Sequence, residues 1–229
     1  MDTHIRRPAA VLWDMDGTLI DSEPYWIAAE TEFAARYGVE WTHEDGLAMV
    51  GNSLSMTAVM LQERGIAVHE DEIIAAILAQ VVDNVKAHLP WQPDAKALLD
   101  EVIQAGIPCA LVTMSYRVLA DAMIDHIPGV FSVVITGDEV ERGKPHPDPY
   151  LIAAAQLGVS IADCVAIEDS PAGTQSAHAS GAATLAVLRE APVEPLPGMS
   201  RVTSLAGIGV AGLAELVDGR VLDQTGARR

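Results

Sequence analysis

The sequence predicts an α/β fold, a Rossmann-like parallel sheet core with an inserted all-helical cap domain. Two observations lead to it. From residue 91 onward, short apolar runs alternate with helical patterns, whereas residues 23–90 show helical periods only. Strands that are apolar along their whole length are typical of parallel sheets covered on both faces. The predicted domains are an α/β core, over residues 1–22 and 91–229, and a helical cap over residues 23–90.

The five predicted strands are short apolar runs. They cover residues 9–13, 107–113, 131–136, 164–167 and 184–187. The predicted helices of the core share an apolar face and turn residues at their ends. They cover a stretch ending at Gly106 and residues 116–126, 147–157, 171–180 and 213–217. Residues 219–229 form a polar tail that we expect to be loose.

The helical insertion over residues 23–90 is predicted from helical periodicity. Its first helix begins after Ser22, has Pro24 in its first turn and ends at Gly38. A later helix carries an apolar stripe that includes Ile73 and Val81, as expected of a helix packed on one face. We expect no strand in this stretch.

Composition excludes several classes of function. The 229 residues are 50% hydrophobic, and 14 Lys and Arg against 32 Asp and Glu give a net charge of −18. This sign disfavours nucleic-acid binding and attachment to an anionic membrane surface. Two cysteines provide no disulfide framework, and neither a signal segment nor a membrane span is expected. We therefore expect a soluble, cytoplasmic protein, a monomer or a weak homodimer.

Polar residues gather where predicted strands end. They are Asp14 and Asp16, Thr113, Lys144 in a later loop, and Glu168 with Asp169. In open α/β sheets, ligands bind at the carboxyl ends of the strands. Four carboxylates in one crevice would repel each other, and Mg²⁺ would relieve that repulsion. Taken singly, these residues also fit a turn, a helix cap and a surface lysine; together, and in this order, they favour a site.

These motifs resemble those of the haloacid dehalogenase superfamily of phosphohydrolases, over nearly the whole chain. The stretch from Asp14 to Thr18, Thr113, Lys144 and the Glu168-Asp169 pair stand in that family's order. The helical insertion resembles the family's cap. Two further segments resemble the β-phosphoglucomutase-like subgroup, which includes small sugar-phosphate phosphatases. They are Asp21-Ser22-Glu23-Pro24-Tyr25-Trp26 and Gly143-Lys144-Pro145-His146-Pro147.

The resemblance implies a role for each motif. Asp14 would attack phosphorus and form an aspartyl-phosphate. Asp16 would protonate the leaving oxygen and then deprotonate the attacking water. Thr113 and nearby backbone N–H groups would hold phosphoryl oxygens, and Lys144 would offset negative charge.

The resemblance also implies a Mg²⁺ cofactor. Its ligands would be an oxygen of Asp14, the backbone carbonyl of Asp16, and Asp169. Glu168 would bind the ion directly or through water. The ion would polarise the phosphoryl group and orient the attack.

Seven further residues are predicted to bind the phosphate or the substrate, because they adjoin the motifs or lie in the cap. They are Gly17, Thr18, Met114, Ser115, Trp26, Asn52 and Arg117. Two of them have simpler interpretations. Trp26 fits a core position of the first cap helix equally well, and Arg117 fits a solvated first helical turn.

The predicted function is Mg²⁺-dependent hydrolysis of a small phosphorylated metabolite, a sugar or polyol monophosphate. The main alternative is a phosphomutase of the β-phosphoglucomutase type. It is disfavoured because no Lys or Arg lies between Arg36 and Arg64, where a second phosphate would need cations. A dehalogenase is disfavoured by Asp16, since carbon–halogen cleavage needs no acid. A non-catalytic binding protein is disfavoured by the intact set of motif residues.

One further motif is set aside. Residues 207–212 read G-x-G-x-x-G, but a dinucleotide site needs a complete βαβ unit and an acidic residue about 20 positions further on. We interpret these residues as a loop that leads into a last surface helix.

Overall fold

The computed structural model describes residues 7–49 and 53–225. The chain forms two compact units, one of Met1–Ile20 with Trp91–Arg229 and the other of Asp21–Pro90. These limits lie within two residues of the predicted domain limits. We refer to the two parts as the core unit and the helical unit.

The described residues form six strands and nine α-helices. The strands are β1 (Ala10–Trp13), β2 (Cys109–Val112), β3 (Phe131–Ile135), β4 (Cys164–Glu168), β5 (Ala183–Val187) and β6 (Ser200–Val202). The helices are α1 (Glu23–Arg36), α2 (His43–Met49), α3 (Leu54–Glu63), α4 (Glu70–Ala87), α5 (Pro93–Gln104), α6 (Arg117–Ile124), α7 (Asp148–Leu157), α8 (Pro171–Ser180) and α9 (Gly209–Val217).

The six strands make one parallel sheet in the order β3-β2-β1-β4-β5-β6. The predicted fold class is confirmed. Trp13, the last residue of β1, is in register with Leu111 of β2 and Ile167 of β4. The residues that follow these three strands therefore meet at one edge, which positions the candidate site.

The sheet is buried because helices cover it. Every residue of β1, β2 and β4 is buried. Helix α7 contacts β1, β2 and β3, while α8 contacts β4 and β5. Helix α9 contacts α5, β4 and β5. It begins at Gly209, four residues before the predicted start of the last helix at Leu213, so residues 209–212 belong to the helix and not to a loop.

Strand β6 is absent from the sequence prediction, and so is the partner of its outer edge. Arg201 donates its backbone N–H to Leu222 at 2.7 Å and accepts one from Gln224 at 2.9 Å. Part of the tail expected to be loose is therefore paired with β6. Such pairing satisfies backbone groups that an open edge would leave exposed.

The helical unit consists of α1 to α4, and its described residues contain no strand. Helix α4 contacts α1 and α3, and α1 also contacts α2. The predicted apolar stripe is buried in this packing, with Ile73 and Val81 both at 0% exposure.

Two expectations from composition can be compared with the structure. Cys109 and Cys164 are free and buried, in β2 and at the start of β4. Among the described residues, no helix has the length and apolarity that crossing a membrane requires.

Candidate active site

Lys144 holds the centre of the polar cluster at the carboxyl edge of the sheet. Its Nζ lies 2.7 Å from Oδ1 of Asp14 and 2.5 Å from Oε1 of Glu168, and it donates to the backbone oxygen of Val112 at 2.8 Å. Three acceptors thus match the three donors of an ammonium group. Only 4% of the Lys144 side chain is exposed, so this is a buried ion-pair cluster rather than a surface contact.

Three of the predicted carboxylates come together beside the lysine. Asp14 directly follows β1, Glu168 ends β4, and Asp169 is the next residue. One oxygen of each lies within 4.8 Å of the others. Thr18, fully buried, donates its hydroxyl to Oδ1 of Asp169 at 3.0 Å and so fixes that carboxylate.

The electrostatics of the cluster reflect one cation among three acids. Burial, and then the charge of Glu168, raise the pKa of Asp14 well above its usual value. The same causes raise the pKa of Asp169 to about 7. Burial alone would lower the pKa of Lys144, but Asp14 and Glu168 outweigh it and raise that pKa. A cluster of buried carboxylate oxygens with an excess of negative charge fits a hard divalent cation such as Mg²⁺.

Asp16 lies beside the end of β2. Its Oδ2 accepts a hydrogen bond from the hydroxyl of Ser115 at 2.7 Å and one from the hydroxyl of Thr113 at 3.3 Å. The Thr113 hydroxyl also accepts the backbone N–H of Ser115 at 2.9 Å. The two residues predicted to hold phosphate therefore contact the predicted acid–base residue.

Gly17 has a left-handed backbone, with φ of +83°. A Cβ built there would lie 2.1 Å from Oδ2 of Asp169, so only glycine lets this carboxylate approach the turn. The backbone N–H of Gly17 donates to Ile20 at 2.8 Å. In the structure, Gly17 lies close to Asp169 and donates a hydrogen bond within the turn, and Thr18 donates a hydrogen bond to Asp169. The sequence predicts phosphate binding by both residues.

Met114 packs against the loop that carries Lys144. Its sulfur accepts the backbone N–H of Lys144 at 3.2 Å, and a Cβ on Gly143 would lie 2.7 Å from that sulfur. The Met114 side chain therefore supports the lysine loop. Its predicted role in phosphate binding would fall to its backbone.

Arg117 does not have the contacts expected of a substrate ligand. Its guanidinium forms an ion pair with Glu139 and donates to the backbone oxygen of Val134 at 3.0 Å. It also lies 3.9 Å from Asp121. Arg117 does begin α6, but its guanidinium is held by groups of its own unit and is not simply solvated, as the alternative expected.

Two of the predicted substrate-binding residues belong to the predicted cap. Trp26 belongs to α1 of the helical unit and is half-buried, and its role in substrate binding stays a prediction. Asn52 lies outside the described residues.

Sequence reasoning missed Tyr150 of α7. This fully buried tyrosine donates its hydroxyl to Oε1 of Glu168 at 2.7 Å. On the sequence it is one apolar position among Leu151, Ile152 and Ala153, which is typical of core packing. The one available signal is a hydroxyl at a core position, since a buried tyrosine usually finds a partner.

Comparison with known proteins defines the class. A model of the haloacid dehalogenase-like hydrolase family matches residues 11–187, so the chain belongs to this family. The resemblance stated from the motifs and the expectation of an enzyme of this hydrolase family are therefore confirmed.

The relatives of this chain include named phosphatases. Hexitol phosphatase A of Escherichia coli is 36% identical over 77% of this chain and 81% of that protein. Fructose-1-phosphate phosphatase YqaB of the same organism is 29% identical over 76% and 94%. Among solved structures, CbbY from Rhodobacter sphaeroides in complex with phosphate superposes with a TM-score of 0.80. It is 26% identical, over 90% of this chain and 99% of that one. A variant of CbbY was solved with xylulose-(1,5)bisphosphate.

Proposed function

We propose that this protein is a Mg²⁺-dependent phosphatase of sugar or polyol monophosphates and that it acts through an aspartyl-phosphate on Asp14. The observation that carries the proposal is the buried Asp14 carboxylate at the end of β1, 2.7 Å from the Lys144 ammonium. A carboxylate held at this edge of a parallel sheet is placed for nucleophilic attack on a ligand bound there.

Each neighbour of Asp14 has a distinct task. Lys144 offsets the charge that Asp14 and the phosphoryl oxygens bring together. Asp16 donates a proton to the leaving oxygen and then accepts one from water. The hydroxyls of Ser115 and Thr113 donate to Asp16 and hold it beside the end of β2.

The residues that would hold Mg²⁺ are Asp14 and Asp169, with Glu168 close by. Their oxygens form one buried group, and Thr18 fixes Asp169. When bound, the ion supplies Lewis-acid polarisation of the phosphoryl group. Chelation should therefore stop turnover and added Mg²⁺ should restore it; full activity after exhaustive chelation would refute the metal requirement.

The substrate class rests on charge and on relatives. Residues 37–63 contain no Lys or Arg, and residues 23–90 hold 11 acidic against 3 basic residues. A second phosphate on the substrate would find little to bind there. Relatives named for hexitol and fructose-1-phosphate hydrolysis support a monophosphate with a neutral leaving group.

The direct test replaces the nucleophile. Asp14→Asn should lower phosphate release from a hexitol or fructose monophosphate by about a thousandfold or more. Asp100→Asn is the matched control, because Asp100 forms an ion pair with Lys96 on the surface of α5. It should keep normal activity. Near-normal turnover by pure Asp14→Asn protein would contradict the assignment.

Product analysis separates hydrolysis from phosphate transfer within the sugar. With β-glucose 1-phosphate, a phosphatase releases inorganic phosphate and glucose. Glucose 6-phosphate formed faster than free phosphate would instead establish the phosphomutase.

A further inference from the structure

We propose that Tyr150 is a positioning residue of this site, which locks Glu168 so that Glu168 in turn holds Lys144 against Asp14. The expected effect on catalysis rests on the proposed function. The positioning of Glu168 and Lys144 rests only on the contacts of Tyr150.

Glu168 is engaged at both of its carboxylate oxygens. Oε1 receives the Tyr150 hydroxyl at 2.7 Å and lies 2.5 Å from Nζ of Lys144. Oε2 receives the Ser170 hydroxyl and the Asp169 backbone N–H, each at 3.2 Å. The backbone N–H of Ser170 also donates to Oε2, at 3.5 Å, so donors on both oxygens hold the carboxylate in one orientation. The orientation of the Glu168 carboxylate, and therefore the position of Lys144, depends on which donors bind its two oxygens.

The space around this carboxylate is closed on the side of α8. A Cβ on Gly173, in the first turn of that helix, would lie 2.0 Å from the carboxylate atoms of Glu168. The group therefore fits against the helix with no room for another side-chain atom. Tyr150, which belongs to α7, contacts the same carboxylate from that helix.

Tyr150 also contacts Lys144 through its ring. Nζ of Lys144 lies 5.4 Å from the ring centroid, within the range of a cation–π interaction. The hydroxyl and the ring thus act on two members of one chain of contacts, Tyr150 to Glu168 to Lys144. The chain of contacts extends to Asp14, because Lys144 donates a hydrogen bond to Asp14 at 2.7 Å.

The alternative interpretation is that Tyr150 is a core residue with a structural role only. The two interpretations differ for Tyr150→Phe, which keeps the ring and its packing and removes only the hydroxyl. Thr184→Val is the matched control. It too removes a buried hydroxyl from the core unit, one that donates to the backbone oxygen of Ala182 near the start of β5.

The chain offers a direct readout of Lys144 without turnover. Its three lysines are Lys86, Lys96 and Lys144. Protein labelled with ¹³C at lysine Cε should give three side-chain signals, and Lys86→Arg and Lys96→Arg identify two of them by loss. Tyr150→Phe should shift the Lys144 signal and leave the other two in place. Thr184→Val should shift none.

Activity provides the second readout. Tyr150→Phe should lower kcat by about 10- to 100-fold with little change in KM, as expected when an outer partner of an active-site group is lost. In a Glu168→Gln background, the same change should lower kcat by less than about twofold, because Tyr150 acts through Glu168. Thr184→Val should keep the wild-type kcat even if its thermal midpoint falls as much as that of Tyr150→Phe.

The two readouts distinguish the possible failures. An unmoved Lys144 signal, or a kcat equal to that of Thr184→Val, would overturn the role of Tyr150 even in an active phosphatase. A shifted Lys144 signal in a protein that releases no phosphate would overturn the proposed function and leave the contact chain established.

Discussion

At the scale of single residues, Gly17 is constrained twice. Its φ of +83° lies in the left-handed region, which costs an L-residue roughly 1–2 kcal/mol. Independently, a Cβ would lie 2.1 Å from Oδ2 of Asp169. Gly106 shares only the first constraint, since its φ is +69° and a Cβ there meets nothing within 4 Å. Comparing substitutions at the two glycines therefore distinguishes the effect of backbone strain from the effect of displacing the Asp169 carboxylate.

Substitution of both glycines by alanine tests this reasoning. Gly17→Ala and Gly106→Ala should each lower the free energy of unfolding by roughly 1–2 kcal/mol. Only Gly17→Ala should also weaken Mn²⁺ binding, measured by electron paramagnetic resonance, and lower kcat by about tenfold or more, because it moves Asp169. Equal Mn²⁺ affinity in the two variants would show that Asp169 tolerates the added methyl group.

Glu30 of α1 is a second residue with a measurable consequence. It is buried and accepts a hydrogen bond from the indole N–H of Trp41 at 3.2 Å. Burial raises the pKa of Glu30 from 4.5 to about 7, against the smaller lowering effect of that hydrogen bond. The folded protein therefore holds a proton that the unfolded chain releases between these values. Stability should fall as the pH rises through this range.

The corresponding prediction concerns Glu30→Gln, whose side-chain oxygen can still accept from Trp41. At about pH 8 the variant should be more stable than the wild type, by on the order of 2 kcal/mol, and below the unfolded pKa of 4.5 the difference should vanish. Denaturant unfolding at the two pH values measures it. Glu63→Gln, at an exposed position of α3, is the control and should show no such difference. A pH-independent effect of Glu30→Gln would exclude the buried proton.

At the scale of elements, Asp94 joins three parts of the core unit. It lies in the first turn of α5 and forms an ion pair with Arg189, beyond β5, at 2.7 Å. It also accepts the hydroxyl of Ser204 at 2.8 Å and the backbone N–H of Leu205 at 2.9 Å, both before α9. Burial alone would raise the pKa of Asp94, but these donors outweigh it and lower the pKa to about 2.

Asp94→Asn should therefore destabilise the protein at neutral pH, by on the order of 1–3 kcal/mol, because a charge-assisted network loses its acceptor. The folded pKa lies below the unfolded value of 3.8, so this stabilisation is present above pH 3.8 and is lost as the pH falls towards 2. Asp100→Asn on the same helix is the control, since its surface pair with Lys96 should contribute under about 0.5 kcal/mol. Thermal or denaturant unfolding of both variants decides the matter.

Elements differ in how far the sequence could predict them. β1 and β4 are continuous apolar runs that end in acids, so both their position and the site at their ends were predictable. β6 is only Ser200–Val202, with a charged residue at its centre, and its strand state depends on β5 and residues 222–224. Tyr150 was missed for a related reason. Its hydroxyl has a function only once α7 has packed beside β4, and no local pattern encodes that contact.

At the scale of the whole molecule, charge sets which ligands can approach. The chain carries −18 overall. In the candidate site, Lys144 is already paired with Asp14 and Glu168. A monophosphate brings about −2 charges and a bisphosphate about −4, so long-range repulsion weighs more heavily on the bisphosphate. The similarity to CbbY, which was solved with a bisphosphate, makes this a sharp test of the charge argument.

We therefore predict that kcat/KM for a hexitol monophosphate exceeds that for a sugar bisphosphate, and that added salt narrows the gap. The Debye length falls from about 30 Å at 0.01 M salt to about 8 Å at 0.15 M, so screening removes more repulsion from the more highly charged substrate. Both substrates are assayed along a NaCl series at fixed, saturating free Mg²⁺, with a sucrose series of equal osmolality as the control. A bisphosphate preferred at low salt would contradict the monophosphate assignment. A ratio independent of salt would show instead that discrimination arises from short-range contacts with the substrate.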